Sequence, residues 1–320
     1  MKDVLSEWYP LDDAQRATVI ERGTIVLDTS SLLTLYRVSE PDRKLVLELF
    51  RAVDHRLWVP YRVALEFHRN RINVAHTQLK AYEELKKEVA SLRRKFEAHS
   101  AHPVLSLSEI RLEAVTRLRR LEQFLDQKRD ELHPADMRDP ARGDGVLKSV
   151  TEIFTGRVGQ PYEITEDTLK EARKRFDSKT PPGYEDAKKP EPDRYGDYLV
   201  WREMLQYLGS QGDQTAPVIF VTEEEKSDWW LKDPQKQSLI GPRPELVKEA
   251  AENGISPLWL VSLRRLYGTL ADSLGWETNR LGEFASVEDS TTSVVSDSAS
   301  LGSERTQSTK SSDEDGSVPE

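Results

Sequence analysis

The sequence predicts a mixed α/β fold with a central parallel sheet, a helical-hairpin insertion and a disordered C-terminal tail. Short, continuous apolar runs are typical of parallel strands buried on both faces, and here such runs are separated by long helical stretches. The predicted strands are Thr24–Leu27, Leu57–Val59, Val218–Val221 and Leu258–Val261. We expect one domain over residues 1–282, with a mainly helical insertion at 76–177 and a tail at 283–320.

The first predicted strand is followed directly by an acid, Asp28. Thr29, Ser30 and Ser31 come next, and such small polar residues favour a helix start, here near Leu32. A carboxylate at the end of a buried parallel strand lies in the crevice where open α/β sheets bind ligands. Asp28 is therefore the first candidate site residue.

The second predicted strand leads into a helix that carries Glu66 among several basic residues. Arg62, Glu66 and Arg69 fall on neighbouring turns, and Arg71 follows shortly after. Two interpretations remain open. The arginines bind a substrate phosphate by bidentate contacts, or they form ion pairs that hold carboxylates in place.

Two long stretches without Gly or Pro, 76–99 and 106–132, predict an antiparallel helical hairpin that turns at residues 101–103. A shorter helix is predicted at 165–176. The hairpin would stand beside the site either as a structural lid or dimer contact, or as an arm that holds RNA or a protein partner.

A proline-rich loop at 181–192 precedes a helix with Asp197 in its first turn. Tyr184 in this loop is a candidate for stacking on an unpaired base, and Lys188 and Lys189 for contacts to the nucleic-acid backbone. Because Asp197 opens a helix whose apolar stripe would pack on the sheet, we expect its carboxylate near the same edge as Asp28.

The third predicted strand ends in Thr222, followed by Glu223, Glu224 and Glu225. Carboxylates gathered in one pocket repel each other unless a cation compensates them. Oxygen ligands without cysteine or paired histidine suit Mg²⁺ or Mn²⁺, which can activate water for attack on a phosphate. The sequence therefore predicts a metal-dependent phosphodiesterase.

The order of these segments resembles that of PIN-domain nucleases, and in particular a bacterial PIN-like branch with a long helical insertion. The resemblance spans residues 23–249 and rests on LDTSSLLTLYR, VPYRVALEFHRNR, PPGYEDAKK, GDYLVW, FVTEEEKSDWW and GPRPELVKE. It implies a three-layer fold and cleavage of RNA with Mg²⁺ or Mn²⁺. It assigns the catalytic and metal-binding acids to Asp28, Glu66, Asp197 and either Glu223 or Glu224.

Two positions depart from the family pattern. The fourth acid is Glu where the family usually has Asp, and Ser30 stands where it usually has Asn. We expect Arg62, Arg69, Arg71, Tyr184 and Lys226 to contact the substrate.

Composition excludes several other classes of protein. The chain has no cysteine, so disulfides and thiolate catalysis are excluded, and a reducing cytoplasm is the expected location. It has no glycine-rich phosphate loop, and no apolar stretch of membrane-spanning length. Ser30 stands where an aspartyl-phosphate phosphatase would need a second Asp. The segment 285–320 has eight acidic and two basic residues, which is −6 of the net charge of −10.

The expected activity is hydrolysis of single-stranded RNA. An inactive PIN scaffold that binds nucleic acid or protein, and a nuclease that acts on DNA, are the alternatives, because a fold does not choose its substrate. A regulatory protein or a second copy of the chain is a further possible partner, and no membrane contact is expected.

Overall fold

The structure, a computed structural model, describes residues 1–98, 108–132, 144–209 and 215–276. Its centre is a parallel four-stranded sheet in the order β2–β1–β3–β6. The strands are β1 Thr24–Leu27, β2 Leu57–Trp58, β3 Ala216–Val221, β4 Trp230–Lys232, β5 Leu239–Pro242 and β6 Ile255–Val261. Strands β4 and β5 form a separate antiparallel pair. The predicted tail, 283–320, lies outside the described residues.

The predicted parallel sheet is confirmed, with differences at the strand ends. Strands β3 and β6 begin two and three residues earlier than predicted, whereas β2 ends at Trp58. Val59 instead forms an isolated parallel bridge with Val158. Strands β1 and β3 are central and have helices on both sides, so their apolar residues are buried on both faces.

Helices form the two outer layers of the domain. In the described part of the chain they are α1 Asp13–Arg22, α2 Thr29–Thr34, α3 Glu40–Ala52, α4 Tyr61–Ala98, α5 Ser108–Leu132, α6 Gly145–Phe154, α7 Glu166–Asp177, α8 Gly196–Gly209, α9 Pro244–Glu252 and α10 Leu263–Ser273. Helix α10 contacts both α1 and α3, whereas α8 packs on β6 and contacts α4. None of the described helices has the length and apolar character needed to cross a membrane.

Helix α2 begins at Thr29 and not near Leu32, so Asp28 occupies its N-cap position. The backbone N–H of Leu32 donates to the carbonyl oxygen of Asp28 at 3.2 Å. The helix therefore starts directly at the end of β1. This short connection fixes the backbone around Asp28.

The helix with Glu66 and the first helix of the predicted hairpin are one continuous helix, α4, of 38 residues. No Gly or Pro interrupts it between Tyr61 and Ala98. Helix α5 lies antiparallel to α4, and ion pairs join Lys86 to Asp126 at 2.6 Å and Arg93 to Glu122 at 2.9 Å. The insertion is thus a direct extension of a helix that reaches the site, while its predicted turn lies outside the described residues.

A buried ion pair connects α4 to the start of α6. The Arg71 guanidinium donates to the Asp144 carboxylate at 2.6 Å, and both side chains are buried. Asp144 also accepts a hydrogen bond from the Tyr36 hydroxyl at 2.8 Å and caps α6 through the N–H of Leu147. The structure therefore gives Arg71 a partner inside the protein, in place of the predicted contact with substrate.

Replacement of Arg71 by Met should lower the free energy of unfolding by about 3–5 kcal/mol, because it leaves the Asp144 carboxylate buried without its counter-ion. Arg69 is exposed two positions earlier on the same helix, so Arg69→Met should change stability by no more than about 0.5 kcal/mol. Urea denaturation of both variants measures the difference. Equal stabilities would contradict the structural role of Arg71.

Candidate functional site

The site begins where two neighbouring strands of the sheet end. Strands β1 and β3 pair in register up to Leu27 and Val221, so Asp28 and Thr222 follow them side by side. The N–H of Asp28 donates to the carbonyl of Val221 at 2.9 Å, and the Thr222 hydroxyl donates to Asp28 Oδ2 at 3.0 Å. The parallel pairing thus places this carboxylate at the edge predicted from the sequence.

Ser30 ties the two strand ends together. Its hydroxyl donates to Asp28 Oδ2 at 2.8 Å and accepts the backbone N–H of Glu223 at 3.0 Å. Hydroxyl groups of Ser30 and Thr222 therefore hold one oxygen of Asp28. The sequence identified Ser30 as a departure from the family pattern, but it did not identify Thr222 as a partner of Asp28.

Asp197 lies close enough to Asp28 for its charge to oppose ionisation of the Asp28 carboxyl group. Burial, and then the charge of Asp197, raise the pKa of Asp28 from 3.8 to about 6, although the hydroxyls of Ser30 and Thr222 act in the opposite direction. A carboxylate in this position is costly to ionise unless a cation is present. The two carboxylates therefore attract a cation.

Glu66 lies close to Thr29, which follows Asp28, and to Gly196, which precedes Asp197. Its Oε2 accepts a hydrogen bond from the Thr29 hydroxyl at 3.2 Å, and its Oε1 is 2.7 Å from Arg62 Nε. A methyl group added at Gly196 would lie 3.2 Å from the same Oε1, so this glycine permits the close approach of α8 to α4. The structure thus brings Asp28, Glu66 and Asp197 into one region.

Lys226 is the positive centre of a second group of acids. Its Nζ is 3.0 Å from Asp186 Oδ1, 3.1 Å from Asp197 Oδ2 and 3.5 Å from Glu224 Oε2. Burial opposes the charge of Lys226, but the three carboxylates outweigh that effect and raise its pKa above the ordinary value. Asp186 was not identified from the sequence, where it is one acid in a proline-rich loop.

Glu223 and Glu224 have different surroundings. Glu223 Oε1 accepts the N–H of Leu263 at 2.7 Å, so its carboxylate caps the N-terminus of α10. Burial raises the pKa of Glu223, although the bond from Leu263 acts against this rise. The Glu224 side chain is 35% exposed and lies beside Lys226. Of the two predicted ligands, Glu224 is the one that lies beside Lys226, which also pairs with Asp197.

Asp228 positions the Tyr184 loop. It is fully buried, and its Oδ2 accepts the backbone N–H groups of Gly183 at 2.8 Å and Glu185 at 3.2 Å. Burial raises its pKa, and the charge of Asp197 adds to the rise. The loop with the predicted base-stacking tyrosine is therefore anchored directly beside the acids. No local sequence pattern identifies Asp228, because its hydrogen-bond partners are more than 40 residues away in the chain.

The predicted substrate-binding arginines have three different environments. Arg62 is buried, with Nε on Glu66 and Nη2 on Asp193 at 3.3 Å. Arg71 is buried against Asp144. Arg69 is exposed. Arg62 and Arg71 thus have the ion-pair arrangement, and Arg69 is the one of the three whose head group faces solvent.

A groove of about 290 Å³ lies between α2 and α4. Leu33 and Val74 form its apolar lining, and its polar lining consists of Arg37, Asn70, Asn73, Thr77 and Gln78. The residues from α4 continue the face of the helix that carries Glu66, at spacings of three and four. Arg37 reaches the groove from the end of α2 and lies near Glu223, whose ionisation it favours. The sequence analysis did not identify this groove.

The donor set fits a divalent ion that keeps part of its water shell. Mg²⁺ binds through one or two carboxylates plus waters, and Asp28 and Asp197 supply two carboxylates from different elements. Within residues 1–98, 108–132, 144–209 and 215–276, no group of three or more acidic, histidine or cysteine side chains is arranged to hold a metal ion. Asp28 and Asp197, with Glu66 adjacent, are the residues that would hold such an ion.

Comparison with known proteins agrees with this architecture. A family model described as a PIN-like domain matches residues 24–246, from the first residue of β1 into α9, and so includes all the acids described above. Neither curated proteins nor solved structures give a significant match. PIN domains are generally nucleases that use divalent metals. Since the match covers most of its length, this chain belongs to the PIN-like domain family.

Proposed function

We propose that this protein is a divalent-metal-dependent endoribonuclease that hydrolyses single-stranded RNA. The observation that carries the proposal is the position of buried Asp28 at the carboxyl edge of the sheet, where the nearby charge of Asp197 opposes its ionisation. Two partly buried carboxylates that repel each other provide a strong attraction for a divalent cation. The absence of cysteine is consistent with action in the cytoplasm.

Each acid has a proposed role. Asp28 and Asp197 would hold Mg²⁺ or Mn²⁺, and Glu66 would orient the water that attacks phosphorus. When bound, the ion would activate that water and stabilise negative charge on the phosphate. Glu224 would belong to the acidic site through its ion pair with Lys226. Glu223 would hold the loop after β3 in place through its hydrogen bond from Leu263.

Single-stranded RNA is the proposed substrate because the surroundings of the acids suit a flexible strand. Exposed Arg69 and Arg37 are available to phosphates, and the anchored Tyr184 is available for stacking on a base. Amide side chains in the groove, such as Asn70 and Asn73, can bond to base edges that a duplex would hide.

A second candidate is a binding module without catalytic activity. The observation that favours it is that three acids, Asp186, Asp197 and Glu224, already share the Lys226 ammonium. An inactive scaffold would bind RNA without cleaving it in Mg²⁺ or Mn²⁺. A preference for DNA is the other alternative. Incubation of the protein with mixed RNA and DNA pools, with each ion and with chelator, distinguishes the three.

Replacement of Asp28 by Asn should reduce RNA cleavage by roughly 10² or more, because the metal loses a charged ligand. Asn keeps the volume and one oxygen for Ser30 and Thr222, so the fold should remain. Cleavage assays in Mg²⁺ and Mn²⁺, with circular dichroism as a control, measure the effect. Cleavage at the wild-type rate would show that Asp28 is not in the active site.

The same variant should be more stable than the wild type at pH 7 in chelator, by about 1–3 kcal/mol. The folded pKa of about 6 lies above 3.8, so the native state binds the extra proton between these values. The advantage of Asp28→Asn should therefore be small near pH 4 and grow as pH rises through 6. Thermal unfolding across this range measures it, and an advantage independent of pH would contradict the assignment.

Binding of single-stranded RNA should exceed binding of duplex RNA and should weaken with salt, because phosphate contacts release counter-ions. In the Asp28→Asn background, Arg69→Met should lower the slope of log Kd against log salt by about 0.7. Exposed Arg51 lies near the far end of α3, and Arg51→Met is the matched control. Tighter binding of duplex DNA would contradict the substrate class.

The three glutamates after β3 should differ in their effect on cleavage. Glu224→Gln should lose the most activity, because Glu224 lies beside Lys226, which pairs with Asp197. Glu225→Gln should lose the least, because Glu225 is exposed. Glu223→Gln should fall between them and also lower the melting temperature, since it weakens the cap on α10. Equal cleavage rates for all three Gln variants would remove this loop from the site.

A further inference from the structure

Lys226 is held in one place by the loop that follows β3. Its carbonyl oxygen accepts the backbone N–H groups of Trp229 and Trp230, both at 3.1 Å. The indole N–H of Trp230 in turn donates to the carbonyl of Glu224 at 2.6 Å. Both tryptophans are buried, so the backbone around Lys226 is anchored in the core.

The ammonium group of Lys226 is fully engaged by carboxylates. A lysine has three N–H donors. Three carboxylate oxygens, from Asp186, Asp197 and Glu224, lie within 3.5 Å of its Nζ. The side chain is 22% exposed. This arrangement leaves no donor for an RNA phosphate, so it favours a different role from the predicted contact with substrate.

The charges around Lys226 show what that role is. Asp197 lies between two parts of the site. Its Oδ2 is 3.1 Å from Lys226 Nζ, and the preceding residue, Gly196, approaches Glu66, which accepts the hydroxyl of Thr29 next to Asp28. In the described part of the chain, no lysine or arginine forms an ion pair with the Asp28 carboxylate. On the other side, Lys226 pairs with Asp186, Asp197 and Glu224, and Lys189 also pairs with Asp186 at 2.6 Å. Carboxylate-rich nuclease sites can hold two divalent ions about 3.5–4 Å apart.

We propose that Lys226 is a permanent internal cation that takes the place of a second metal ion, so that this chain binds one divalent ion at Asp28 and Asp197. The inference rests on the proposed metal-dependent function, but it concerns the number of ions and not the cleavage reaction. Lys226 is thus a positioning residue, which acts through Asp197. It holds this carboxylate for the exchangeable ion and keeps the neighbouring acids from attracting another.

The test is to count Mn²⁺ ions on the full chain without RNA. Calorimetric titration should give one ion per wild-type chain and two per Lys226→Met chain. Removal of the Lys226 ammonium leaves Asp197 and Glu224 without their cation, beside Asp186, which keeps Lys189. Trp229 provides an independent signal, because its indole N–H lies 3.3 Å from Asp197 Oδ2. Its fluorescence should change on Mn²⁺ addition, and Trp229→Phe should remove most of that change.

Stability provides the second measurement. In chelator, Lys226→Met should melt about 5 °C or more below the wild type, and Mn²⁺ should restore most of the loss by binding only the folded state. A double variant, Lys226→Met with Glu224→Gln, removes one positive and one negative charge. It should melt between the single variant and the wild type in chelator, because one repelling acid is gone but Asp197 still lacks its cation. A double variant as unstable as the single one would show that packing of the lysine matters and not its charge, and would overturn the proposal.

Matched controls separate charge from other effects. Lys226→Arg keeps the cation and should bind one ion, and Lys188→Met changes an exposed lysine of the nearby loop and should bind one ion and melt at the wild-type temperature. Two ions on the wild type, or one ion on both wild type and Lys226→Met, would overturn the inference. No ion on the wild type would overturn it together with the proposed metal dependence. One ion on the wild type and two on Lys226→Met, without RNA cleavage, would support it and contradict only the proposed nuclease activity.

Discussion

The compensation of buried negative charge is the constraint on which the arrangement of this domain depends. A parallel sheet brings the ends of β1 and β3 together, and with them several carboxylates that water no longer surrounds. Each acid receives a different partner. Hydroxyl groups hold Asp28, a guanidinium holds Glu66, an ammonium holds Asp197, and a helix N-terminus holds Glu223. The loops and helices at this edge are fixed by these pairings.

Helix α4 connects this edge to the insertion. The same helix carries Arg62 and Glu66 at its start and then extends far enough to pair with α5. The Arg71–Asp144 pair holds α4 to the start of α6 one turn beyond Glu66, so the part of the helix at the site is fixed in the core. Because a helix is stiff along its axis, the position of the hairpin is coupled to that of Glu66.

Local patterns allowed much of the fold to be predicted. The apolar runs identified all four strands of the main sheet, and the acid after a run correctly indicated its carboxyl end. Other features depend on contacts between distant residues. Arg69 and Arg71 are two positions apart on one helix, yet one is exposed and the other is buried because Asp144 lies against it. The roles of Asp186, Asp228 and Lys226 likewise depend on loops that meet only in the folded chain, and no local pattern identifies them.

The acids of the site have different partners, and this difference explains how the fourth acid after β3 can be Glu where the family usually has Asp. If the fourth acid bound the metal directly, one extra methylene would displace the ion, since Mg²⁺ requires near-ideal geometry. Here Glu224 lies beside Lys226. An ammonium group can pair with carboxylates over a wider range of positions than a metal ion can. The longer side chain then needs only to reach Lys226. Under the proposed function, the direct metal ligands would be aspartates, and the glutamate would belong to the part of the site that tolerates its length.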